Sequence, residues 1–400
     1  MKEFFTTQFG FSLLLMVVLI GMILTAVAYC ILLERKISAW VQDRVGPNRA
    51  GPYGLLQPIA DGVKFLLKED IISANVDKAL FLLAPGLAFT VAMIGFAVIP
   101  WAGTVRLGDS VVAVQVASVD IGLLYILAVG SLSVYGIVLG GWSSNNKFSF
   151  HGSMRAAAQM LSYEIPMGLS ILVVVMTCGQ LRLEDIVAGE AGQMGTTWNV
   201  LLHPAAFVIL LVTVFAESNR LPFDLAEAEQ ELIGGYQTEY SSMKMAFFYL
   251  GEYVHMITAS AFVAVLFLGG WELFPFSDRL GWAWLQWLNH DESIWAMLCR
   301  FMVMSGKVGS FIFFFMWIRW TLPRFRFDQL MRLAWRGLVP IGLGLVVMTG
   351  FCVYAGQPAT PWAPVGDVVI VAMVLLWTVL MKPRATGRQS HLPPVLLDVT

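Results

Sequence analysis

About nine long apolar stretches, at residues 11–33, 79–100, 119–140, 156–178, 200–216, 244–270, 294–318, 337–355 and 366–381, alternate with polar segments along this chain. A helix needs about 20 mostly apolar residues to cross the hydrocarbon of a bilayer. Inside that layer a helix satisfies all its backbone donors and acceptors by itself. The pattern therefore predicts an all-α fold: a polytopic membrane helical bundle of about nine transmembrane helices, read as one integral-membrane unit over residues 1–400. The fifth and ninth stretches are short for a span. Composition agrees, with 58% hydrophobic and 13% charged residues, the latter roughly half the share of a soluble domain. A net charge of −2 offers no basic surface for nucleic acid.

Residues 11–33 could pass for a signal peptide, with Ala26-Val27-Ala28 as a cleavage site. The apolar run continues to Leu33 and stops at Glu34-Arg35-Lys36, which is too long for such a segment. It reads as a retained first helix. If the loop after it is cytoplasmic, the cytoplasmic side holds 19 Lys and Arg against 5 on the other. That bias places the N-terminus outside and the C-terminus inside.

Five segments then face the cytoplasm, one of them the short loop between the third and fourth stretches that carries Lys147 and Arg155. The first loop, 34–78, opens with a turn-rich stretch, Val45-Gly46-Pro47-Asn48 through Gly54. Leu55, Leu56, Ile59, Val63, Leu66 and Leu67 follow at helical spacing, with Asp61, Lys64 and Lys68 on the other face. This predicts an amphipathic helix lying in the membrane interface. An acidic loop spans 217–243, a basic loop 319–336, and a tail 382–400.

The acidic loop is the chemical anomaly. Glu217, Asp224, Glu227, Glu229 and Glu231 crowd together with Arg220 as the one cation among them. Crowded carboxylates repel, so some should retain protons near neutral pH. Asp224, Glu227 and Glu231 share one helix face by spacing. Pro222 and early-turn acids suit a helix start, which accounts for Asp224 and Glu227 but not for Glu229 and Glu231. Arg220 is the expected counter-ion of one or two of them. Glu164 and Glu252 lie within or near spans, where ionisable groups are costly and usually functional. Lys307 is a candidate partner for either, or part of a structural ion pair.

Cys30, Cys178, Cys299 and Cys352 lack the paired spacing of zinc or iron–sulfur ligands. The histidines show no ligand spacing; His203 and His255 read as hydrogen-bonding residues at span ends rather than a haem clamp. No metal site and no nucleotide loop is expected.

Several collinear segments over about residues 30–335 carry a resemblance: Glu34-Arg35-Lys36; Arg44-Val45-Gly46-Pro47-Asn48; Gly51 through Asp61; Gly141-Trp142-Ser143-Ser144-Asn145; Arg155-Ala156-Ala157-Ala158-Gln159 with Ser162-Tyr163-Glu164; the acidic loop; Thr238-Glu239-Tyr240; and Trp317-Ile318-Arg319 through Leu330. Together they resemble the NuoH family of respiratory complex I membrane subunits, whose mitochondrial members are called subunit 1. The loops on the outer side and the tail match poorly.

The resemblance implies a bundle where the membrane arm of NADH:quinone oxidoreductase meets its hydrophilic arm, in a bacterial cytoplasmic (inner) membrane. It implies that the chain forms the membrane part of a quinone channel and couples quinone reduction to proton translocation. Quinone would be a substrate, while FMN and iron–sulfur clusters would sit in partner subunits. Partners would be the quinone-site subunits of the hydrophilic arm, small membrane subunits leading to antiporter-like subunits, and lipid. Glu34, Arg35, Arg44, Asp61, Arg220 and Asp224 would line the channel. Glu164, Glu217 and Glu252 would belong to a proton path, joined by Glu227, Glu229 and Glu231. Two alternatives remain at this level. One is the related membrane subunit of an energy-converting hydrogenase; the other is an ion transporter, which would favour repeats and broken helices.

Overall fold

A computed structural model describes residues 8–188, 198–225, 233–275, 282–356 and 363–380. The main helices are α1 (Gln8–Val41), α2 (Gln57–Leu67), α3 (Lys78–Ile94), α4 (Gly122–Ser143), α5 (Lys147–Cys178), α6 (Pro204–Glu217), α7 (Ser242–Phe267), α8 (Ala283–His290), α9 (Ile294–Thr321), α10 (Phe327–Tyr354) and α11 (Ala363–Leu380). Each of the nine apolar stretches coincides with a helix. Among the described residues seven helices are long and apolar enough to cross a membrane, while α6 and α11 are the shorter apolar pair. The chain is a multi-pass, all-α membrane protein.

Local chemistry sets several boundaries. Asn146 caps α5 by accepting from the Phe148 N–H at 3.0 Å, and Gly179 ends it in the left-handed region at φ 71°. Two boundaries differ from the sequence reading. Arg319 still belongs to α9, and α10 begins at Phe327 with a π-turn at Leu333–Leu338, so much of the basic loop is helical. A small antiparallel hairpin, β1 (Thr104–Leu107) with β2 (Ser110–Ala113), lies in the loop between α3 and α4 and was not foreseen. Gln8 of α1 hooks onto it, accepting from the Ala113 N–H at 2.9 Å.

The most buried long helix is α7, a pillar around which the others stand; Val254, Ala261, Ala264, Leu266 and Phe267 are fully enclosed. The helices α3, α4 and α5 cross closely because small residues meet there. A Cβ on Gly136 would lie 2.8 Å from the Ala88 Cβ, and one on Gly141 2.2 Å from the Ser153 Oγ. With lipid outside as apolar as the side chains, such close backbone approach drives helix association. The outward faces of α1 and α9 are apolar, with Val17 and Met302 largely exposed. On α1 the buried positions Leu19, Ile23, Val27, Cys30, Glu34 and Ile37 recur every three or four residues. That spacing is one helix face, so the stripe that packs α1 against the bundle also turns Glu34 inward.

Gly141→Val should therefore prevent assembly, read as loss of the chain from purified membranes. Gly168→Ala, where added volume meets open space, should leave its abundance unchanged.

Candidate functional site

Glu34 is buried and receives three donors from three separate segments. The Tyr253 hydroxyl of α7 donates at 2.5 Å, Arg220 of the acidic loop at 3.3 Å, and Arg319 of α9 completes the set. The Arg220 guanidinium lies over the Tyr253 ring, 4.0 Å from its centre, and its second nitrogen is 3.9 Å from Glu252. Burial opposes the charge of Arg220, but Tyr253, Glu34 and Glu252 outweigh it and hold the proton more firmly than usual. Among the described residues Arg220 is thus the counter-ion of Glu34 and Glu252. Asp224 is paired instead by Arg324, at 3.0 Å.

All of these groups but Arg324 line a cavity of about 360 Å³, walled also by Ile31, Phe65, Tyr249 and Trp320. A second cavity of about 240 Å³ abuts it, sharing Ile31, Phe65 and Tyr249, and is lined mainly by apolar residues of α1, α2 and α7. The amphipathic helix α2 makes one wall. Its Gln57, Asp61 and Phe65 recur every four residues and face inward, while Ile59, Val63 and Leu67 are exposed on the other side. Arg35 pairs with Asp61 at 2.9 Å and tethers α2 to α1, and Gln57 donates to the same carboxylate at 3.0 Å. A polar chamber joined to an apolar one suits a molecule with a polar head and a greasy tail. Arg44 is not brought to either cavity; it is exposed and bonds Gln42 at 2.7 Å.

From the chamber a line of ionisable groups runs into the bundle. Glu252 accepts from the Tyr236 hydroxyl at 2.9 Å and, with Glu217 and His255, borders a small cavity of about 40 Å³. That volume admits a water molecule. His255 lies 3.8 Å from Glu217. Glu164 of α5 interacts electrostatically with Glu217 and accepts from Ser131 of α4. Glu217 and Asp224, seven residues apart, therefore open on different cavities. Glu227, Glu229 and Glu231 fall outside the described residues.

Lys307 partners neither Glu164 nor Glu252 among the described contacts; the acid that acts on it electrostatically is Glu272. Its ammonium points at the backbone carbonyls of Leu268 and Gly270, at 2.6 and 2.8 Å, and of Glu272, and it lies over the Trp198 ring. Glu164 and Glu252 are engaged elsewhere. His203 bonds Thr177 at 3.0 Å and faces Asp367 of α11 at 3.7 Å, so the two histidines serve separate partners. Among the described residues no group of three His, Cys, Asp or Glu could hold a metal ion.

The family model described as NADH dehydrogenase matches residues 14–350. The chain belongs to this family. It is similar to the H subunit (number 1) of NADH-quinone oxidoreductase from Cytophaga hutchinsonii, with 49% identity over 80% of this chain and 90% of that protein. It is similar also to the H subunit of the same enzyme from Flavobacterium psychrophilum, 48% identical over 80% of this chain and 90% of the relative. The corresponding protein of Geobacter metallireducens, again the H subunit numbered 1, is 46% identical over 82% and 92%. In this member of the NADH dehydrogenase family, sequence reasoning left Tyr253, Arg319 and Arg324 without a site role. The two arginines fall in the basic loop 319–336, and Tyr253 carries no signal beyond its place next to Glu252.

Removing one partner of a buried ion pair costs roughly 3–5 kcal/mol. Arg220→Met should accordingly lower the thermal stability of the assembled protein, measured by its melting transition. Arg220→Lys, which keeps the charge but not the ring stacking or the two-sided reach, should fall between.

Proposed function

We propose that this chain is the membrane subunit of a proton-translocating NADH:quinone oxidoreductase, that the joined cavities are the membrane part of its quinone channel, and that the Glu252–Glu217–Glu164 line starts the coupled proton path. The observation that carries the reading is the junction of the apolar cavity with the chamber holding Glu34, Arg220 and Glu252. The similarity to H subunits of NADH-quinone oxidoreductases favours quinone over the hydrogenase alternative.

The quinone tail would occupy the apolar cavity between α1, α2 and α7, and its head would enter the chamber. Reduction to quinol takes two electrons and two protons. The electrons come from an iron–sulfur cluster in a hydrophilic-arm partner, itself fed from NADH through FMN. Negative charge arriving on the head competes for Arg220. The long contact to Glu252 is the weaker of that arginine's two described carboxylate contacts, so Glu252 loses this positive charge first and is favoured to take a proton. His255 and the small cavity offer a relay from there to Glu217, and Glu164 follows toward small membrane subunits and the antiporter-like subunits beyond. Glu227, Glu229 and Glu231 join this buffer of coupled acids. The membrane is the bacterial cytoplasmic one, with the N-terminus outside and the chamber end facing the hydrophilic arm.

The test uses the assembled complex in sealed vesicles. Glu34→Gln weakens the contacts that shape the chamber and should lower NADH:quinone reductase activity on the order of tenfold. Electron transfer from NADH to a water-soluble acceptor upstream should be unchanged. Glu217→Gln should lower the number of protons moved per electron. Quinone reduction and pumping that are both unaltered in these variants would refute the reading.

A further inference from the structure

The stretch Arg155-Ala156-Ala157-Ala158-Gln159 with Ser162-Tyr163-Glu164 stands out in the sequence, yet only Glu164 has been given a role. Gln159 is fully buried in α5. Its side-chain nitrogen donates to the carbonyls of Ala216 and Phe223 at 2.7 Å each, with the Asn219 side-chain oxygen at 3.3 Å. The amide has two hydrogens, and the two carbonyls take both. Reversing the amide would set its oxygen against both carbonyl oxygens, so the acceptors fix its orientation. Ala216 and Phe223 bracket the turn that carries Glu217 and Arg220.

Tyr163, one helical turn further on, acts on the neighbouring segment. Its hydroxyl donates to the Leu330 carbonyl at 2.9 Å, and its ring meets Phe223 edge-on at 5.6 Å. Phe223 in turn packs on Phe325, whose N–H donates to the Pro222 carbonyl at 3.1 Å. The two segments bearing Arg220 and Arg324 are thus stitched to each other and both to one face of α5.

We propose that Gln159 is a positioning residue for the quinone chamber: by clasping both ends of the Ala216–Phe223 turn it sets where Arg220 stands relative to Glu34 and Glu252, with Tyr163 bracing the same turn. Gln159 itself lines neither cavity and touches no substrate. Its absence loosens the turn, so an arginine that must sit over Tyr253 and reach two carboxylates loses its fixed place. The inference rests on the reading of the chamber given above.

The test compares variants of the complete enzyme in vesicles. Gln159→Met keeps length and burial but has no donor. It should lower kcat/KM for quinone about tenfold, mainly through KM, with upstream electron transfer from NADH unchanged. Gln159→Glu supplies a discriminating pH dependence. Ionised, it can only accept and is repelled by the two carbonyls; protonated, it regains one donor. Its activity relative to the unaltered enzyme should rise as pH falls. If Gln159→Met blocks assembly, the pH ratio of Gln159→Glu decides: recovery at low pH supports the role, and a flat ratio overturns it. Wild-type kinetics in Gln159→Met alongside a damaged Glu34→Gln enzyme would overturn the positioning role and leave the chamber reading standing. Wild-type kinetics in both would remove the two together.

Discussion

A carboxylate drawn out of water into an apolar bundle is untenable unless other groups replace the lost hydration. Glu34 is placed in that position by the packing stripe of α1, and the surrounding structure answers it. A hydroxyl from α7, a guanidinium from the acidic loop and another from α9 converge on its two oxygens. Each donor comes from a different part of the chain, so satisfying one acid fixes three elements relative to a fourth. The chamber is the space those elements enclose. Among the described residues Glu34 and Glu252 are set against Arg220 and Arg319, and Asp224 against Arg324. Within an apolar bundle a charge added beside these groups acts on them more strongly than it would in water.

The neighbouring apolar cavity arises from a different constraint. The helix α2 is too short to cross a bilayer and has two unlike faces. One presents Ile59, Val63 and Leu67 outward, while Gln57, Asp61 and Phe65 turn toward α1 and α7. The Arg35–Asp61 pair holds the inner face near the bundle without closing the space between them. Polar chamber and apolar antechamber therefore meet at Phe65 and Tyr249, and a ligand with chemically distinct ends has one orientation available.

The helices were legible because a bilayer leaves few solutions for a chain of this hydropathy, and α2 was legible from its alternation of faces. The hairpin at 104–113 was not, since its four-residue strands give too little alternation to register. Through the resemblance Glu34, Arg35, Arg44, Asp61, Arg220 and Asp224 could be named, but not their pairings, nor that Arg44 lies at neither cavity. Glu34 and Arg220 lie 186 positions apart, and Glu34 and Arg319 lie 285 apart. Among the described residues the fold sets Arg220 against Glu34 and Glu252, and Asp224 against Arg324. Gln159 was legible only as part of a motif, because a single buried amide on a helix leaves no periodic trace.

A quinone carrying a photoreactive group on its tail, activated in the assembled complex and followed by mapping of the tagged peptides, addresses the central claim most directly. Tags at Phe65, Tyr249 and Leu250, displaced by excess unlabelled quinone and lost when α2 is cross-linked against α7 to shut the apolar cavity, are the expected result. Tags confined to the outward faces of α1 and α9, unaffected by competitor, would contradict a quinone path between α1, α2 and α7.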